Sequence, residues 1–568
     1  MPSPLFLPKA LIQVNIHSHG LSLLDCRLGF KFSFNFIFVI MKKQILLLGT
    51  LGCLTMAGCD NSLDNVKNQV AYNDDTYFTT PATISEAVTA TYGLLLYEGL
   101  YSRDFYYLMD LTGNEAEADA PLLGDVLQLH DYSYSANHAQ INDLWSATYK
   151  MTLRANLVID KAGKIIPASD AEKVKLAQYV SEAYFLKAYA EFLQVTLWGR
   201  VPIRKDYAGN SEIYLTRAST EEVWKQIESD LNNAIVGLPV AYASSAADLG
   251  RITKGAAIAL LGKSYLFQKK YAEAATQFEL LTKAPYTYDL VKNLDDLFTK
   301  SPVKNAETVF DVPHKAWGGW GEGSPYYMFG SQEGSGSGKN TLTGRAMEYG
   351  WNDWRNVFIS DAAVKAFTYT DETGKAYVDP RAKNTFYGNA ASGGDVTYCD
   401  NCAGGAKPYP FAENGNGFRW KKYEPYEYKE KGELPQSDIN SQVIRYADVL
   451  LMLAEAQINS GKISEALPLI NKVRTRSGAF AYTALGSKEE AMKKIMLERQ
   501  LELVGEQVRF FDLIRWGIAK QTLNTEKKAK YPDSSQPFFQ DKHVLFPIPL
   551  TEKNTNPMVA KDVAGDWN

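Results

Sequence analysis

The sequence predicts a mainly α-helical protein, a scaffold of paired helices that carries a long, loop-rich insertion with short strands. Three observations predict it. Apolar residues recur at spacings of three and four from about Thr83 onwards. Two segments repeat the pattern of a helical hairpin. Between them, from about 300 to 440, the helical period fades and Gly, Asn, Ser and aromatic residues take over.

The first helix is expected in "TISEAVTATYGLLLYEGL", where Thr83 and Glu86 have capping-box spacing. "INDLWSATYKMTLRANLVIDKA" and "SDAEKVKLAQYVSEAYFLKAYAEFLQVTLWG" follow. Ser169 and Asp170 offer the second of these an N-cap, and Gly199 stops it. "STEEVWKQIESDLNNAIVGLP" opens with Thr220 as cap and stops at Gly237 to Pro239. "AIALLGKSYLFQKKYAEAATQFELLTKAP" then places Leu261, Gly262, Tyr265, Ala274, Phe278 and Pro285 at tetratricopeptide-like offsets. The small residue falls where two helices cross. "VLLMLAEAQINSGKISEALPLINKVRTRSG" repeats the pattern with Leu453, Ala454, Gln457, Ala466 and Ile470. The two units lie far apart in the chain, so they are not one regular array. Such hairpins cannot bury their faces alone and normally stack. Within the insertion, "KNAETVFDVP" reads as a strand and "SDAAVKAFTYT" as a helix capped by Ser360.

The N-terminal region reads as a leader. In "MKKQILLLGTLGCLTMAGC", Lys42 and Lys43 precede an apolar run from Ile45 to Ala57, and the small pair Ala57 and Gly58 precedes Cys59. This is a secretory-signal layout, and its apolar run is shorter than the ~20 residues of a membrane-spanning helix. A cysteine directly after the small pair resembles a bacterial lipobox, which makes Cys59 the expected lipidation site and membrane anchor. Met41 is the expected start, with the first 40 positions an over-extended frame; "FKFSFNFIFVI" is too short to span a bilayer. Residues 1–58 are thus expected to be removed and 59–75 to form a polar tether. Residues 76–568 are expected to form one domain, with scaffold at about 76–300 and 440–530 and insertion at about 300–440.

Bulk numbers narrow the function. With 45% hydrophobic residues, 22% charged residues and net charge −5, the composition is that of a globular protein without the basic stripe of a nucleic-acid binder. Ten Trp and 34 Tyr are many, and too many sit among Gly, Asn and Asp for core alone. Cys26 and Cys53 fall in the leader and Cys59 is the expected lipid site, leaving Cys399 and Cys402 in "YCDNCAGG". A local disulfide is the plain reading in an oxidising compartment. A redox pair would want a βαβ context and a zinc site two more ligands.

The C-terminal third is specific. "RYADVLLMLAEAQINSGKISEALPLINKVRTRSG", "IMLERQLELVGEQVRFFDLIRWG" and "VLFPIPLTEKNTNP" follow one another, and "SEAYFLKAYAEFLQVTLWGRVPIR" lies upstream. In order, these resemble the hallmark segments of the SusD/RagB family of outer-membrane lipoproteins. The resemblance runs from Cys59 to about Asn556. It implies a surface-exposed, lipid-anchored, non-catalytic glycan-binding protein of the Bacteroidetes outer membrane. It also implies four tetratricopeptide-like helix pairs and a variable loop-rich portion. Its implied partners are oligosaccharides and a SusC-like TonB-dependent transporter, and no cofactor is implied. Glu498, Arg499, Glu502, Glu506, Arg509, Asp512 and Arg515 fall at helical spacings and are expected to form structural salt bridges at three or four apart. Glu502 and Glu506 could be mistaken for a catalytic dyad; the adjacent arginines argue for structure.

A sugar site needs exposed rings to stack on and polar groups for the hydroxyl edges. Two clusters qualify. "HKAWGGWGEGSPYY" carries Trp317, Trp320, Tyr326 and Tyr327, and "MEYGWNDWRNVF" carries Tyr349, Trp351 and Trp354 beside Asn352, Asp353 and Arg355. Each ring could instead be core, since Trp is highly buried on average. A third region, "YSRDFYYLMDLTGNEAEADAPLLGD", lies where family members often draw site residues. It offers Arg103 and Asn114, with Asp110, Glu115 and Asp119. Its acids could hold Ca²⁺, but no twelve-residue calcium loop is present, so no metal is expected. Two other functions compete, an extracellular glycoside hydrolase and a helical-repeat adaptor that binds only protein.

Overall fold

The computed structural model describes residues 77–567, except 119–123, 208–212, 243–247, 249, 299–304, 315–342, 352–355, 399–404, 414–416, 424–438, 536–537 and 564–566. All of them belong to one compact unit that begins at Asp74. The expected leader, the tether and Cys59 lie outside the described residues.

Local chemistry sets most helix ends. Helix α1 (Pro81–Tyr92) starts earlier than the Thr83 pattern suggested. Thr80 is its cap, held extended at φ −137°, ψ 158° by the proline that follows. Thr83 answers from inside the first turn, and Glu86 instead accepts the Tyr77 hydroxyl. Helices α2 (Asp104–Thr112), α3 (Gly124–Asp131) and α4 (Ala139–Ala162) follow. Helix α5 (Asp170–Trp198) has the expected Ser169 cap and stops at Gly199, whose φ is 70°. Helix α6 (Thr220–Gly237) is capped one residue earlier than expected, by Ser219, because Glu222 closes a capping box with it. Helices α7 (Lys254–Phe267) and α8 (Tyr271–Leu280) are the first tetratricopeptide-like unit. Helices α9 (Tyr446–Asn459) and α10 (Ile463–Arg476) are the second. Helices α11 (Lys488–Leu503), α12 (Arg509–Trp516) and α13 (Ala519–Lys530) follow.

From α4 to α8 each helix packs on the next, then α8 packs on α9, and α9 on α10 and α11. The two units that are distant in sequence are therefore neighbours in space. A Cβ on Gly262 would lie 2.7 Å from the Phe278 ring, so α7 and α8 approach at a point where only hydrogen fits. One large apolar core runs through these helices, and a small separate cluster forms around Trp351, Tyr387 and Tyr409.

Among the described residues the strands form five two-stranded antiparallel ladders. Strand β1 (Ala116–Ala118) pairs with β3 (Val357–Ile359), and β2 (Thr308–Val312) with β10 (Ser441–Arg445). Strand β4 (Thr368–Thr370) pairs with β5 (Ala376–Val378), and β6 (Phe386–Tyr387) with β9 (Arg419–Trp420). Strand β7 (Thr397–Tyr398) pairs with β8 (Lys407–Pro408). The β2–β10 ladder joins the two ends of the insertion and gives it a root on the scaffold. Ser360 caps a short helix, Asp361–Ala366, as expected.

The hallmark stretch, whose charged residues fall at helical spacings from Glu498 to Arg515, is two helices with a break between them. Helix α11 ends at Leu503, and Gly505 (φ 71°) and Gln507 (φ 59°) turn the chain left-handed before α12. A Cβ on Gly505 would sit 2.9 Å from the Trp420 ring. Among the described residues no helix is long and apolar enough to cross a membrane.

Candidate functional site

The root of the insertion is held by buried charge. Arg445, at the end of β10, donates Nη1 to Glu307 at 2.6 Å and to Glu502 at 2.7 Å, and Nε to Glu506 at 2.7 Å. Arg381, inside the insertion, reaches Glu498 at 2.7 Å and Glu502 at 3.0 Å and forks onto Asp379. Arg474 on α10 takes the other Glu498 oxygen, and Arg476 binds Glu307 and Glu502. Lys422 completes Glu506. The expected salt bridges exist, but of those anticipated at three or four apart the one seen along the hallmark stretch is Asp512–Arg515. The others are long-range, because α11 points these side chains inward at β10, α10 and the insertion.

Both oxygens of Glu502 and of Glu506 accept from cations. Burial alone would raise the two carboxyls. For Glu502, Arg476, Arg445 and Arg381 overcome it, and for Glu506, Arg445 and Lys422 do; both are held below the usual carboxylate range. Neither can hold a proton to donate, so this pair is a clamp rather than an acid–base couple.

The region that offers Arg103 and Asn114 for sugar contact is packed into the fold. Residues 104–112 form α2 and are all buried. Arg103 pairs with Glu98 at 3.2 Å and Glu348 at 3.1 Å. Asp110 accepts from Arg345 at 2.9 Å, from the Tyr349 hydroxyl at 2.7 Å, and from Gln507. Asn114, left-handed at φ 55°, donates to Glu526 at 2.9 Å. Glu115 accepts the Gly505 N–H at 2.9 Å. These groups are spent on binding α2 and the residues after it to the insertion, to the α11–α12 turn and to α13. Asp119 lies outside the described residues.

Glu115 carries a pH signature. Burial, reinforced by Asp110, raises its carboxyl to about 8. The folded chain then keeps a proton that the unfolded chain releases above the ordinary value of about 4.3. Stability from this group is whole below that value and is lost as pH rises towards 8, by up to ~1.4 kcal/mol per pH unit. Glu115→Gln is expected to flatten that slope in urea-melt midpoints taken from pH 5 to 8.

Trp351 is 8% exposed. Its ring meets Tyr398 edge-on at 4.9 Å and Tyr409 at 5.4 Å, and Tyr409 stacks on Tyr387 at 5.0 Å. Phe411 packs on the same cluster, which β6 to β9 support. The insertion thus has an aromatic centre of its own, with Trp351 inside it. Tyr387, Tyr398 and Tyr409 went unread in the sequence, although they sit beside Gly, Asn, Asp and Pro as the chosen tryptophans do. Trp317, Trp320, Tyr326, Tyr327, Asn352, Asp353 and Trp354 lie outside the described residues, as do Cys399 and Cys402. In the chain Trp351 precedes Asn352 and Tyr398 precedes Cys399, so these two segments start from rings in contact.

Comparison with known proteins follows the same lines. Residues 322–563 match a family model described as the SusD family, and residues 65–266 match one described as "Starch-binding associating with outer membrane". SusD-like protein P25 of Formosa agariphila is 24% identical over 550 residues, 92% of this chain and 99% of its own. A SusD superfamily protein from Bacteroides vulgatus has the same fold, with TM-score 0.68 at 24% identity over 85% of this chain and 99% of that one. A laminarin-binding SusD-like protein gives TM-score 0.66 at 24% identity over 84% and 98%.

Proposed function

The chain belongs to the SusD/RagB family, and from that premise we propose that it binds glycans at the cell surface without cleaving them and passes oligosaccharides to a SusC-type TonB-dependent transporter. The observation that carries this reading is the match of residues 65–266 to a starch-binding family model. The likeness of fold to a laminarin-binding protein along most of the chain supports it. The hallmark carboxylates support the non-catalytic part, since Glu502 and Glu506 are saturated by arginine and lysine.

We place the sugar platform on Trp317, Trp320, Tyr326, Tyr327 and Trp354, with Asn352 and Asp353 bonding hydroxyl edges. A panel of oligosaccharides should bind the purified mature chain and yield no new reducing ends. New reducing ends would make it a hydrolase, and transporter capture without any glycan binding would make it an adaptor.

The anchor is Cys59. Cys59→Ala is expected to move the protein from the membrane pellet to the soluble fraction, and a variant that still pellets would refute lipidation there.

A further inference from the structure

A cavity of about 30 Å³ lies where α5, α7, α12 and β10 meet. Much of its wall is aromatic, including Tyr101, Tyr189, Phe192 and Phe511. One polar side chain in that wall is short of a partner, and a second holds its counter-charge only at long range. Gln442 on β10 is 5% exposed; its amide nitrogen donates to the Leu297 carbonyl, but its Oε1 accepts nothing. Lys263 on α7 has its anionic partner, Asp448 Oδ2, at 3.7 Å. That is beyond hydrogen-bond reach and is the separation at which a bridging water is to be asked for. The same Asp448 oxygen is buried without a partner, while Oδ1 takes Arg499 at 2.7 Å.

Buried polar atoms are satisfied by protein or by water, and a water needs about 10–15 Å³ of such volume and two or more polar partners. The cavity has room for about two.

We propose that this cavity is a water site. One molecule in the cavity accepts from Lys263 and donates to Gln442 Oε1, and a second, beyond the cavity wall, bridges Lys263 to Asp448 Oδ2. Lys263 belongs to the first helix pair, Asp448 to the second, and Gln442 to the ladder that roots the insertion. The waters join these three parts at one point, where side chains alone do not reach. This does not depend on what the protein binds.

Two measurements test it. Crystals of the mature chain at high resolution, with and without xenon pressure, should show ordered peaks within hydrogen-bond distance of Gln442 Oε1 and Lys263 Nζ and no xenon. Xenon in the cavity, or no peak there, would overturn the proposal, because a dry apolar cavity takes xenon. In a double-mutant cycle, Gln442→Leu and Lys263→Met should each lower the melting temperature by a few degrees. The double variant should fall no further than the worse single one. Fully additive losses would show that the two side chains share no water.

Discussion

Replacing Arg445 by methionine is expected to lower stability by ~3–5 kcal/mol, the range for breaking a buried ion pair from one side. The methionine stem fills much of the same space, so the loss is one of charge. Glu307 would keep Arg476, and Glu502 would keep Arg476 and Arg381. Glu506 would be left with Lys422 alone among its present cations. The control is the exposed pair Lys520–Asp541, where Lys520→Met should cost under about 1 kcal/mol. Equal losses in urea unfolding for the two variants would show that the buried network contributes no more than surface charge. The pH dependence has a definite sign. Glu502 and Glu506 are held below their ordinary value. Their stabilisation is therefore whole above about pH 4.3 and is lost as pH falls through the folded values. Glu115 acts in the opposite direction, so the wild-type profile should decline on both the acid and the alkaline side.

The tryptophans should separate into two groups. Trp317→Ala, Trp320→Ala and Trp354→Ala are expected to keep the melting temperature. At least two of them should weaken glycan binding by more than about tenfold, as losing a central stacking ring costs ≥ about 2 kcal/mol. Trp351→Ala should instead lose ~3–5 kcal/mol of stability, because Tyr398 and Tyr409 enclose its ring. Each variant would be measured by thermal melt and by affinity electrophoresis in the glycan the wild type holds. Unchanged binding in all three variants would move the platform elsewhere in the insertion.

What could be read from the sequence was what neighbouring residues decide. Ser169, Gly199 and Ser360 act within one turn of themselves, and their roles were legible. Thr83 and Thr220 were near misses, since each has a competing hydroxyl nearby whose backbone geometry wins. The break at Gly505 was hidden by helical spacing that continues across it. The burial of Arg103 to Glu115 was hidden because its partners Glu348, Arg345, Glu526 and Gly505 come from distant segments. The same holds for Arg445, and for Arg381 towards Glu498 and Glu502, partners no local pattern could name. The aromatic centre at Trp351 was half legible, as one ring of several.

The meeting of α8 with α9 has a consequence for how the chain comes into being. Helix α8 ends at Leu280 and its partner does not begin until Tyr446. During synthesis the first hairpin therefore exists, with the face of α8 that packs on α9 waiting for a neighbour, while the whole insertion is still to be made. Ends this far apart are slow to close, and apolar surface left waiting is prone to stick to other chains. Chains truncated anywhere inside the insertion should aggregate rather than fold, and full-length chains should refold slowly, with the final step requiring residues 446–476.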